Sequence, residues 1–171
     1  MRKIILGVAV SLDGLIEGPN GEYDWCFTDQ DYGMTDFLKT IDAIFYGRKS
    51  YEMMMKAGGE SMFGGKTNYV FSNTLKQSEK DFHLISNDFV AAVEKLKGQE
   101  GKNIWLFGGA VLTNSLMNAG LVDELWLAVH PILLGKGKPL FDGLNSRVKT
   151  VLLNSKLYET GLVSMTYGVE K

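Results

Sequence analysis

Five apolar runs punctuate the chain, at 4–10, 43–46, 69–71, 104–107 and 125–129, and each stops at a glycine, a serine or another polar or turn-forming residue. Runs of this length without polar alternation suit central strands covered on both faces. Helical patterns lie between and around them. "MTDFLKTI" precedes the second run and "KSYEMMMKA" follows it. "NDFVAAVEKLKG" starts at Asn-Asp and stops at glycine, and "AVLTNSLMNAG" follows Gly108-Gly109. Strands alternating with helices of about ten residues predict a mainly parallel α/β sheet flanked by helices. The tail breaks the pattern. Two strand-like runs in "TVLLNSKLYETGLVSMTYGVEK" are joined at Glu159-Thr160-Gly161, too close for a helical crossover, which predicts an antiparallel hairpin on the sheet edge.

At 171 residues the chain is long enough for one well-buried core and short for two, so residues 1–171 read as a single domain. Hydrophobic residues make up 45% and charged residues 22%, an ordinary globular balance. The net charge of -2 leaves no basic footprint for a nucleic-acid backbone, so any anion site must be local. Two basic residues ahead of an apolar run give the N-terminus a faint likeness to a signal peptide. Asp13 interrupts before any cleavage pattern, and a buried first strand is the expectation. No run reaches the roughly 18 apolar residues of a membrane helix. Cys26 is the only cysteine, which excludes an intramolecular disulfide and fits a reducing cytoplasm.

In an open α/β sheet, ligands bind at the carboxyl ends of the strands, where helix N-termini offer unpaired N–H groups. Three strand ends here carry suitable residues. After 43–46 comes "GRKSYE": Gly47 allows a close turn, Arg48 and Lys49 bring two positive charges, and Ser50 can cap a helix or bond an oxyanion. After 69–71 come Ser72 and Asn73. After 104–107 come Gly108 and Gly109. Together they suggest a dinucleotide site, with bare backbone for a pyrophosphate and a basic turn for a ribose 2′-phosphate. Arginine with lysine there, and no carboxylate for a free 2′-hydroxyl, favours NADP over NAD. The full G-x-G-x-x-G fingerprint is absent, and each glycine reads equally as turn chemistry.

The connection "SLDGLIEGPNGEYDW" after the first run is long enough to serve as a lid over a ligand, or as a plain surface loop with a turn at Asp13-Gly14. Asp24, Asp29, Asp31 and Asp36 surround the first helical pattern; one could donate a proton, though solvated caps are the commoner role. His83 and His130 stand alone, without metal-ligand spacing, and are expected to pack; no metal site is expected. Met53 to Met55 read as flexible packing. "HPILLGKGKPLF" interleaves Gly135 and Gly137 with Lys136 and Lys138, either a bend or a phosphate-binding loop. No H-x-E is followed by P-C-x-x-C, so the ligands for a zinc deaminase are missing.

These residues resemble the dihydrofolate reductase fold and, within it, the reductase domain at the C-terminus of the bifunctional riboflavin-biosynthesis deaminase-reductase, here as a stand-alone domain. "VSLDGLIEG", "DAIFYGRKSYE", "YVFSNTL" and above all "LFGGAVLTNSLMNAGLVDELWLAVHPILLGKGKPLF" carry the resemblance; Asp123-Glu124 and P-x-x-L-G-x-G-x-x-L-F point to the riboflavin branch. It implies a dihydrofolate reductase-like α/β fold with a mixed, mostly parallel sheet. It also implies NADP(H) contacts at Gly47, Arg48, Lys49, Ser50, Ser72, Gly108, Gly109, Ala110 and Val111, with Ala9 and Ile16 near the nicotinamide. Trp105, two residues before Phe107, is expected near it as well.

The implied activity is hydride transfer from NADPH to a pyrimidine-type substrate, as in 5-amino-6-(5-phosphoribosylamino)uracil reductase. Reduction of dihydrofolate or another pterin is the alternative, and an NADP-binding module without catalysis is a third reading. Lys66 stands where the folate-gripping arginine is expected; Asp13, in the predicted lid, and Lys66, at the facing strand entry, are the substrate-contact candidates, and Asp13 and Asp31 are the candidates for a catalytic role. Asp31 aligns without gaps to the family's catalytic acid, although Gly33 falls where helix is expected. The implied partners are a small heterocyclic substrate and a second copy of the chain, met through the sheet edge.

Overall fold

In the computed structural model, which describes residues 1–58 and 63–171, the five apolar runs become β1 (Ile4–Ser11), β3 (Ile41–Gly47), β4 (Thr67–Phe71), β6 (Asn103–Gly108) and β7 (Glu124–His130). With β5 (Phe82–Ile85), β9 (Thr150–Leu157) and β10 (Val163–Val169) they form one sheet in the order β5-β4-β3-β6-β1-β7-β10-β9. The strands from β5 to β7 are mutually parallel. β10 runs antiparallel to β7, and β9 antiparallel to β10, so the tail is the expected edge hairpin. Gly161 closes its turn, donating its N–H to the Tyr158 carbonyl at a φ of 86° that favours glycine.

The helical patterns become α1 (Met34–Thr40), α2 (Arg48–Lys56), α3 (Phe89–Gly98) and α4 (Ala110–Asn118). None is long and apolar enough to cross a membrane. Each packs apolar side chains against one face of the sheet, those of α1 only partly buried. Val93 of α3 and Leu112 and Leu116 of α4 pack on Ile4, Leu6, Phe45 and Leu106. Tyr51 and Met54 of α2, with Phe37 and Leu38 of α1, pack on Ile44, Tyr46, Val70 and Trp105. Ala43 and Phe45 point to one core and Ile44 and Tyr46 to the other, the two-residue period of a strand covered on both sides. Full burial of each large apolar side chain contributes about 1.5–3 kcal/mol.

Asp123, one of the residues marking the riboflavin branch, fastens the amino-end edge of the sheet. Its Oδ2 accepts the Ile4 N–H at 2.8 Å and the Lys97 ammonium at 2.5 Å, and its Oδ1 accepts Lys171 at 2.8 Å. Burial pushes its carboxyl pKa up, but the ion pairs and the Ile4 N–H outweigh that and hold it below the usual carboxylate range.

Three strands escape the hydrophobic pattern. β5 is four residues long with His83 exposed, so the expectation that His83 packs inside is corrected: it lies on the sheet edge against the Tyr69 ring. β2 (Leu15–Glu17) and β8 (Lys138–Pro139) form a separate two-stranded sheet too short to leave a periodic signal.

Candidate active site

β3 and β6 are neighbours, yet the chain leaves their carboxyl ends toward opposite faces, into α2 from one and α4 from the other. Such a switch point opens a crevice at the strand ends. Gly47 and Gly109 are the residues preceding the two helices, and neither helix receives a side-chain cap. Their first N–H groups, and the partial positive charge they carry, are left to the crevice. α3 shows the contrast: Asp88 accepts the Ala91 N–H at 3.0 Å and closes that end.

The glycines are required by space and by conformation. A Cβ on Gly47 would stand 3.2 Å from the Gly109 nitrogen, and one on Gly109 would stand 3.3 Å from Ser50 Oγ. Gly108 has a φ of +109°, which side chains rarely tolerate, and the Gly108–Gly109 peptide is cis.

The crevice holds a cavity of about 650 Å³. Gly47 at the end of β3 and Arg48, Lys49 and Ser50 of α2 line it, with Gly109, Ala110 and Val111 at the start of α4, Ser72 just after β4, Ala9 from β1 and Ile16 from β2. Gly108, also expected at the cofactor, is not among the residues that line it. Asn73, from the second strand end, and Lys138, from the glycine-lysine loop, line it too, as do Phe107 and Met53, the latter expected only as packing.

Arg48 is held from two sides. Its Nε donates to Glu52 Oε1 at 2.7 Å and its Nη1 to Thr74 Oγ1 at 2.7 Å. Ser72 Oγ in turn accepts the N–H groups of Thr74 at 3.2 Å and Leu75 at 3.1 Å. The buried Ser72 thereby sets the turn that positions Arg48, in addition to lining the cavity. Lys49 is exposed and makes no ion pair among the described residues.

The loop after β1 and the glycine-lysine loop hold each other over this cavity through the β2–β8 pair. A Cβ on Gly137 would collide with the Glu17 carbonyl, so glycine lets the two backbones meet. Asp13 locks the arrangement. It accepts the Ser11 hydroxyl at 2.6 Å and the N–H groups of Leu134 at 3.2 Å and Gly135 at 2.8 Å. Two expectations are corrected here. The glycine-lysine loop does not offer those N–H groups to a phosphate, because Asp13 already fills them. Asp13 itself lies on neither cavity wall, and the Ser11 hydroxyl and the Gly135 N–H hold its carboxyl below the usual range. Lys66 is corrected likewise, since its Nζ donates to the Ile41 carbonyl at 2.9 Å and it lines neither cavity.

A second cavity, of about 520 Å³, adjoins the first and shares Val8, Ala9, Cys26 and Phe107 with it. Phe27, Phe63, Trp105 and Trp126 give it an aromatic lining. The indole N–H groups are spent within the protein, Trp105 on the Gly7 carbonyl and Trp126 on Ser164 Oγ, both at 2.9 Å. Trp105 therefore faces this second cavity and does not line the first.

The titratable groups of the second cavity are poor acids at neutral pH. Thr35, through its hydroxyl at 2.6 Å and its N–H at 3.0 Å, holds the Asp31 carboxyl below its ordinary range. Asp31 thus caps the turn that enters α1, which is why Gly33 can sit at a φ of 87° before the helix begins at Met34. Burial, with the Asp24 charge nearby, pushes the Cys26 thiol up to about 11. His130 is buried as expected. Its Nε2 accepts the Phe27 N–H at 3.1 Å and its Nδ1 lies 2.9 Å from the Ala128 carbonyl, which together select the neutral ring protonated at Nδ1; burial lowers its pKa further than that carbonyl raises it.

Comparison with known proteins agrees with this architecture. Over 177 aligned residues, covering 97% of this chain and 94% of its relative, the sequence is 42% identical to the uncharacterized protein YyaP of Bacillus subtilis. A crystal structure of a candidate riboflavin biosynthesis protein from Shewanella sp. PV-4 superposes over 100% of both chains with a TM-score of 0.87 at 26% identity. Dihydrofolate reductase from Enterococcus faecalis, solved with NADP(H), superposes over 99% of this chain and 97% of its own with a TM-score of 0.73 at 16% identity, a likeness of fold. The model of the RibD C-terminal domain matches residues 2–164, and the chain belongs to that family.

Proposed function

We propose that the protein is an NADPH-dependent reductase that transfers a hydride to a small pyrimidine-type heterocycle. One observation carries this reading: a cavity with two uncapped helix N-termini and a basic turn adjoins, at Ala9, a second cavity walled by aromatic rings. The N–H groups at the starts of α2 and α4 suit a pyrophosphate, and Arg48 with Lys49 suit a 2′-phosphate. Binding in that pose directs the nicotinamide toward the junction, where Ala9 is small enough for the two rings to approach.

NADPH supplies the hydride and leaves as NADP⁺. The protein's part is to hold cofactor and substrate in contact and to exclude water from between them. Asp31, Cys26 and His130 are each held in a form that does not readily give up a proton at neutral pH, so the balancing proton comes from solvent. Folate reduction fits less well, because Lys66, held by the Ile41 carbonyl, lines neither cavity and is not placed to grip a glutamate carboxylate there. Membership of the RibD C-terminal domain family supports the reductase reading over a module without catalysis.

Titration with NADPH and with NADH, followed by quenching of tryptophan fluorescence, tests the first step. NADPH is expected to bind at least about tenfold more tightly, the contribution of one or two charge-assisted hydrogen bonds. Failure of both cofactors to bind overturns the reading.

A further inference from the structure

The second cavity has a charge pattern that limits what it can hold. Among the described residues no lysine or arginine lines it, and residues 59–62, Gly-Glu-Ser-Met, contain neither. Among the described residues its one carboxylate is Asp31, whose pKa the Thr35 hydroxyl and N–H hold below the ordinary range. The helix start beside it, at Met34, is the other feature that could attract an anion, and Asp31 occupies it by accepting the Thr35 N–H. Several other polar groups on the wall are engaged internally: both nitrogens of His130, both indole N–H groups, and the Tyr32 hydroxyl with Asp29 and Thr160; the exposed Thr28 and Gln30 complete the polar lining and bring no charge. Basic side chains line only the first cavity, as Arg48, Lys49 and Lys138.

A phosphate or carboxylate entering the second cavity would lose water, meet no cation and face a like charge, each of which opposes binding. A flat, uncharged ring meets aromatic faces and loses nothing of that kind. We propose that the second cavity takes an uncharged, planar conjugated ring, and that the substrate carries no phosphate or carboxylate on the part held there. This deepens the reductase reading and rests on it only in treating the occupant as the hydride acceptor. It disfavours substrates whose phosphate or carboxylate would have to lie inside this cavity.

Two matched pairs of probes test the proposal: riboflavin against FMN, which differ by a phosphate, and pterin against folate, which differ by an anionic arm. Each is titrated into the protein with and without NADP⁺ and followed by probe fluorescence. Riboflavin and pterin are expected to bind at least about tenfold more tightly than their charged counterparts. The Gln30→Lys variant adds a cation to the wall and is expected to move the riboflavin-to-FMN ratio about tenfold toward FMN.

Equal or tighter binding of the charged members, no binding of either neutral ring, or an unchanged ratio in Gln30→Lys overturns the proposal. The two readings fail separately. If NADPH does not bind but riboflavin keeps its preference, the reductase reading falls and the assignment of the cavity stands. If NADPH binds and the preference is absent, the assignment falls alone.

Discussion

Gly47 and Gly109 face each other across the crevice so closely that a Cβ on Gly47 would come within 3.2 Å of the Gly109 nitrogen and 3.4 Å of the Gly108 carbonyl oxygen. Both contacts are with backbone, which cannot swing aside as a side chain would. Gly47 has a φ of -72°, which alanine adopts freely, so Gly47→Ala strains the packing and not its own conformation. The variant is expected to keep most of its thermal stability and to lose about tenfold or more in NADPH affinity as the two helix starts move apart. Gly108→Ala differs, since a φ of +109° costs a side chain about 1–3 kcal/mol, and it should lower the melting temperature as well. Equal behaviour of the two variants in melting and titration experiments would refute this distinction.

The Arg48–Glu52 pair predicts opposite effects from its two halves. Removing Arg48 takes away a charge-assisted partner for a 2′-phosphate, so Arg48→Ala is expected to weaken NADPH by about 10–100-fold and to change NADH little. Glu52 competes for the same guanidinium at 2.7 Å. Glu52→Gln should release it and tighten NADPH a few-fold, with the gain shrinking at high salt because the pair is exposed. Calorimetric titration of both variants with both cofactors, at low and high salt, checks the prediction.

His130 gives the fold a pH dependence of known sign. Its folded pKa lies below the ordinary value of about 6.5, so as pH falls through that value the unfolded chain takes up the proton first. Stability conferred by the neutral ring is therefore complete above about pH 6.5 and declines below it, by at most about 1.4 kcal/mol per pH unit, until the folded ring titrates too. Protonation of Nε2 also breaks its bond with the Phe27 N–H and loosens the wall of the second cavity. Urea denaturation between pH 7.5 and 5.5 should show this decline in the native protein and a flatter profile in His130→Asn. A native protein that gains stability on acidification would contradict it.

β9 predicts self-association. Among the described residues it pairs only with β10 and its outer edge is open, and Val151, Leu153 and Leu157 are 50%, 55% and 73% exposed. An eight-residue edge strand with apolar side chains invites pairing with another chain. We expect a dimer joined through this hairpin, and a monomer when Val151 and Leu157 are both changed to lysine. Light scattering on the two proteins decides, and a native monomer at high concentration would refute the expectation.

Much of the fold was legible in the chain because burial on both faces of a parallel sheet forces uninterrupted apolar runs. Those runs located β1, β3, β4, β6 and β7, and the close spacing of the last two strands announced the hairpin. The strand-end residues Gly47 to Ser50, Ser72, and Gly109 to Val111 were also visible, since glycine and basic residues at strand ends report local backbone and charge requirements. The RibD-type motif supplied the frame that joined them.

Tertiary structure alone decided the rest, because those contacts join residues far apart in the chain and leave no local period. Asp13 reads as a substrate contact in its own segment and becomes a latch only when Leu134 and Gly135 are folded beside it. Lys66 reads as a free cation until the Ile41 carbonyl is seen to hold it. The aromatic cavity draws its rings from distant segments, Phe27, Phe63, Trp105 and Trp126, and its lack of positive charge is a property of the assembled wall. The sequence determined where backbone is bare and where charge lies along the chain. The fold determined which of those groups face a ligand and which are already satisfied by the protein itself.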